Sequence, residues 1–167
     1  MPLSKILATS LSTGVGGKLL SHKITQITEN SERASATSYA DDLDFGSFTP
    51  SSSNSIVLIS GVANFDGGTN TYLFYKWVID GSDFLSTTST TPVATHIFYN
   101  STSLNNNAYM PSTIFTSITN TDGSAIPVKC QGKVSSGGNN TVLRINRSNN
   151  NNYSGSPSTV IWLEVAN

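Results

Sequence analysis

Residues 56–65, IVLISGVANF, are apolar on both alternating faces, the pattern of a strand in the middle of a sheet and covered on each side. Residues 71–80, TYLFYKWVID, alternate strictly. Leu73, Tyr75, Trp77 and Ile79 take one face; Tyr72, Phe74, Lys76 and Val78 take the other. Between them Asp66-Gly67-Gly68-Thr69-Asn70 offers the positive φ angles that hairpin turns need, with Asp66 as a turn residue. The two stretches predict antiparallel strands joined by a tight loop.

Shorter runs of the same kind lie on either side. Residues 19–27 predict a strand through Leu20, His22 and Ile24, with an ambiguous register because Ile27 falls on the other face. Further strands are predicted at 93–99, 112–119, 127–134, 141–147 and 159–165. Polar turns separate them: the Pro50-Ser-Ser-Ser-Asn-Ser run, Gly137 to Asn140, and an exposed loop at 148–156 with four consecutive asparagines. The charged stretch holding Glu29, Glu32, Arg33, Asp41, Asp42 and Asp44 reads as a solvated connection. A short helix in the first fifteen residues is the only plausible helical segment. About eight to ten short strands predict an all-β single domain, a sandwich or jelly roll, over 18–167. Residues 1–17 end in Gly14, Gly16 and Gly17 and read as a separate arm.

Composition narrows the function classes. Charged residues make up 11% of the chain, against about 25% in an ordinary soluble domain. Ser, Thr and Asn take their place, and these residues disfavour helix interiors because their side chains compete for backbone hydrogen bonds. The net charge is −1, without a basic cluster, which argues against a nucleic-acid partner. No apolar run approaches the ~18 residues of a membrane span, and the N-terminus is too weakly apolar for a signal peptide. Synthesis in a cytoplasm, without membrane insertion, is expected. Cys130 has no partner cysteine and reads as a buried, inert thiol.

Candidate chemistry is sparse. His22 and His96 sit within predicted strands with no nucleophile or metal-ligand spacing around them. Asp41, Asp42 and Asp44 lack the glycine and distal glutamate of a calcium loop. Phosphate-cradle and nucleophile-elbow motifs are missing from the sequence. The expectation is a non-enzyme with no cofactor and no metal. The aromatics carry the strongest signal outside the core. Tyr72, Phe74 and Val78 on the second face of their strand, with Trp162 in the last strand, are candidate oligomer-interface residues. Tyr109 and Tyr153, in Asn-rich loops, are candidate receptor contacts for a host surface glycan.

The segments FTPSSSNSIVLISGVANF-DGGTNTYLFYKW, PVKCQGKVSSGGNNTVLRINR and TVIWLEVA, with the opening MPLSKI, resemble small virion proteins of tailed phages, especially those of cyanobacteria and other marine bacteria. Such proteins are commonly labelled tail-fibre proteins and have tumour-necrosis-factor-like jelly rolls. The resemblance covers 18–167 and rests on turn and strand patterns. It implies a homotrimer on the exterior of a virion, made in the host cytoplasm and contacting other capsid or tail proteins. Tyr72, Phe74 and the alternate faces of 56–65 and 160–165 are its candidates for the three-fold axis. Leu3, Ile6, Leu7 and Leu11 are the arm's candidate anchor residues. One departure from a long fibre is the lack of shaft repeats, and an arm of this length reaches at most ~60 Å. That shifts the expectation towards a capsid decoration or cement protein, with a tail fibre or host receptor-binding protein as the alternative.

Overall fold

The computed structural model describes residues 17–67, 71–84, 96–100, 110–135, 142–146 and 156–167. Eight substantial strands organise these residues: β1 (Leu19–Ile27), β3 (Ala40–Phe48), β4 (Ser55–Gly67), β5 (Thr71–Ile79), β7 (His96–Asn100), β8 (Met110–Asn120), β9 (Ile126–Val134) and β11 (Ser158–Ala166). Three short strands complete the set: β2 (Ser31–Arg33), β6 (Ser82–Asp83) and β10 (Leu143–Ile145). No helix is present among the described residues.

The strands pair in a nested order. β1 pairs with β11, β3 with β9, β4 with β8, and β5 with β7, all antiparallel. The chain is in effect one long two-stranded ribbon, folded so that β11 also lines β4 and β9 also lines β5. Two sheets result, β1–β11–β4–β8 and β3–β9–β5–β7, and the fold is a jelly-roll β-sandwich. At thirteen residues β4 outruns β11, and its last three, Phe65 to Gly67, pair with β10, which in turn pairs with β2.

The core lies between the sheets. Leu73, Tyr75, Trp77 and Ile79 point inward from β5, and Val57, Ile59, Ala63 and Phe65 from β4. Trp77 stacks on Phe45 with ring centres 5.8 Å apart, and its indole N–H donates to Ser112 Oγ at 2.8 Å on the opposite sheet. Gly61 makes room for this ring: a Cβ there would lie 3.0 Å from Trp77 Cη2 and 3.1 Å from Val160 Cγ2. Cys130 is fully buried, and burial pushes its thiol pKa up, with Asp42 adding to the shift. Trp162 is also fully buried. Its β11 position faces inward, so this candidate interface residue is a core residue and does not reach the molecular surface.

Two sequence expectations change. The charged stretch is not a free connection, because β3 begins at Ala40 within it. Asp42 accepts from Arg33 Nε and Nη2 at 2.7 and 2.9 Å and from Gly132 N at 3.0 Å, while Asp41 accepts from Lys129 and Gln131 at 2.6 Å each. Two register shifts against β9 break the alternation that would have marked the strand. Asp66 is likewise not a turn residue. It lies within β4, fully buried, with Oδ2 3.9 Å from Arg144 Nη1.

Candidate interaction surfaces

Strand register sets the outward face of the first sheet. One row across it reads Ile24, Ile161, Ser60, Phe115; the next reads His22, Leu163, Leu58, Ser117. Flanking rows bring Gln26, Thr159, Val62 and Thr113 on one side, and Val165, Ile56 and Thr119 on the other. Phe115 is 74% exposed and Ile24 61%. Leu20 and Leu163 are also exposed, whereas Ile56, Leu58, Val62 and Ile161 are half-buried by their own neighbours. His22 is the only ionisable side chain in these rows. β4 is therefore central, as its two-faced apolar pattern predicts, but among the described residues no second layer covers its outer side.

Two polar nodes hold this sheet in place from within. Glu164 points inward from β11 and is fully buried. It accepts from Ser21 Oγ at 2.5 Å, Ser51 N at 2.8 Å, Ser51 Oγ at 2.7 Å and Ser52 N at 3.0 Å. Burial pushes its carboxyl up, but these donors outweigh that and hold it down at about 2. The second node sits where β4 passes from β11 to β10. Asn64 N donates to Ser158 Oγ at 2.9 Å, which donates to Asn146 Oδ1 at 2.6 Å. Asn146 Nδ2 donates to the carbonyls of Ile27 and Glu29 at 2.9 and 3.1 Å.

The outward face of the second sheet is different in kind. Phe74 lies opposite Lys133 on β9 and Ile97 on β7, and Tyr39 stands just before Ala40, the partner of Gly132. The Lys133 ammonium lies 4.9 Å from the Tyr39 ring centre and 5.2 Å from that of Phe74, and Lys76 reaches Tyr39 at 5.0 Å. Burial pushes the Tyr39 phenol up to about 12, with Asp83 and Cys130 adding to the shift. Tyr72 packs on Phe74 at 6.3 Å and remains 48% exposed.

Of the candidate interface residues, Tyr72, Phe74 and Val78 lie together on this second outward face, while Trp162 lies in the core. The anchor candidates Leu3, Ile6, Leu7 and Leu11, the receptor candidates Tyr109 and Tyr153, and the short helix expected in the first fifteen residues fall outside the described residues. Sequence reading missed Ile24 and Phe115 as the most exposed apolar side chains of the first sheet. The signal for Phe115 was present in Ile114-Phe115, adjacent apolar residues within an otherwise alternating strand. Among the described residues no group of three or more His, Cys, Asp or Glu side chains is placed to hold a metal ion.

No protein-family profile and no curated protein sequence matches this chain. Similar solved structures include infectious bursal disease virus Gx strain, at 13% identity and a TM-score of 0.38, and Gt strain, at 14% and 0.40. A third is the infectious bursal disease virus VP2 subviral particle, at 15% and 0.35. The matches cover 89–90% of this chain but only 38–39% of those chains. Likeness at this level does not extend to function.

Proposed function

We propose that the chain is a non-enzymatic structural protein of a phage virion exterior. In this reading it is a trimeric jelly-roll knob held to the particle by residues 1–17 and serves as a capsid decoration or cement protein. The observation that supports it is the outward face of β1–β11–β4–β8, apolar along its central rows with one ionisable side chain. Four strands ~4.8 Å apart and about eight residues long span roughly 500 Å². That is the greater part of the ~800 Å² each partner contributes to a standard interface. A second copy of the chain is the occupant this face suits, since it offers no charge pattern for a polar partner. Three arms acting together would then anchor the knob by avidity.

Light scattering of the purified protein should give three times the 17.7 kDa chain mass; a stable monomer would remove the trimer. Deleting residues 1–17 should leave a folded trimer that no longer decorates particles. Normal decoration by the truncated protein would show that the arm is not the anchor. Imaging the protein on the particle separates a capsid position from a tail-fibre position.

A further inference from the structure

On the second sheet's outward face, Lys76 has Asp83 at 3.2 Å, and Lys129 has Asp41 at 2.6 Å and Asp44 at 3.7 Å. Lys133 is different. No carboxylate among the described residues lies within ion-pair distance of it, and its ammonium is held over the rings of Tyr39 and Phe74. Beside it Tyr72 presents a half-exposed ring, packed on Phe74, and Ile97 is 53% exposed across the Phe74 register position. On the same face a half-open cleft of about 400 Å³ is lined by Asp41, Val78, Pro127, Lys129 and Gln131.

We infer that this face binds an anionic carbohydrate. The C–H face of a sugar ring packs on an exposed aromatic ring because its slightly positive C–H groups meet the electron-rich ring face. Tyr72, steadied by Phe74, supplies that platform. The Lys133 ammonium, fixed by its two rings and without a carboxylate partner among the described residues, supplies a charge-assisted hydrogen bond to a uronate carboxylate or a sulfate ester. The partly exposed cleft side chains Asp41 and Lys129 offer an acceptor and a donor for hydroxyl groups further along the chain of sugars. The Tyr72 ring and the cleft lie along one strand face, from position 72 to position 78 of β5, a span that suits several linked sugars rather than a single small ligand. This inference goes beyond the structural role and does not depend on it, because the face lies opposite the proposed subunit contact.

The test is affinity electrophoresis of the full chain, near physiological salt, in gels holding polygalacturonate, dextran sulfate or neutral dextran. Retardation by polygalacturonate alone assigns a uronate, by dextran sulfate alone a sulfate ester, and by both the shared anionic chemistry. Lys133→Gln should weaken that binding by about tenfold, the scale of a charged hydrogen bond, and Tyr72→Ser by about tenfold through loss of the ring platform. Lys18→Gln, a charge-matched change outside this face, should leave it unchanged. Thermal melting confirms that each variant folds. Retardation by neither anionic polymer, or equally by neutral dextran, overturns the inference. So does equal weakening in Lys18→Gln, which marks diffuse charge attraction, or unaltered binding in both Lys133→Gln and Tyr72→Ser. The oligomeric mass is read separately, so loss of the trimer and loss of glycan binding are distinct results.

Discussion

Glu164 shows how a single residue ties distant parts of this chain together. Its carboxylate is buried yet remains charged because Ser21, Ser51 and Ser52 surround it with donors. The serine-rich turn before β4 thereby becomes a carboxylate cage, which fixes the turn to β11 and β1. A carboxylate whose pKa falls on folding adds stability that is fully present above its unfolded value. That stability is lost as pH drops through the folded value. For Glu164 the loss should run from about 4.5 down to about 2. Glu164→Gln sets an amide N–H₂ against these donors, so urea unfolding at pH 7 should show a loss of about 1–3 kcal/mol. The difference from the parent protein should shrink as pH approaches 2. A constant difference across that range would show that the charge is not what the cage holds.

At the scale of the elements, the strands were legible wherever alternation was unbroken. β1 and β5 start where the pattern places them, and β8, β9 and β11 extend theirs by a residue or two. β3 was not legible, because two register shifts break its period and its acids look like a solvated loop until Arg33, Lys129 and Gln131 are brought to them. The hand-over of β4 from β11 to β10 was equally hidden. It depends on Asn64, Asn146 and Ser158, which are 82 and 94 residues from the first to the others in sequence and look like ordinary members of an Asn- and Ser-rich chain. Asn146 also adopts φ 55°, a left-handed conformation that asparagine tolerates better than most residues. Asn146→Ala should therefore cost about 2–4 kcal/mol in chemical denaturation, since it strands the carbonyls of Ile27 and Glu29 and the Ser158 hydroxyl. A cost below about 0.5 kcal/mol would mean that water replaces the side chain without loss.

For the whole molecule, the two sheets present faces of opposite character on opposite sides. A closed three-fold ring brings together two different patches of each subunit, whose outward directions differ by about 60°. Opposite faces of a sandwich point about 180° apart and would build an open stack. Tyr72 and Phe74 therefore cannot share one three-fold contact with the outward side chains of β4 and β11. A trimer built on the first sheet leaves the Tyr72 face turned away and takes its second patch from an edge or end of the sandwich. Ile24→Glu with Phe115→Glu should weaken such an assembly at least about 1,000-fold, because burying unpaired charges costs several kcal/mol each. Light scattering should then report monomer while circular dichroism keeps the β signature. An oligomer that persists in this variant would place the contact elsewhere.

The sequence by itself determined the strand-rich chain, the core face of β5 and the low charge of the surface, because each follows from local alternation and composition. Only the tertiary structure decided which outward residues share a face. A strand has two sides, and neighbours in the pairing, not in the chain, choose which side meets the core. That choice buried Trp162, exposed Phe115 and Ile24, gathered the rows free of acids, lysines and arginines onto one sheet, and set Lys133 between Tyr39 and Phe74 on the other.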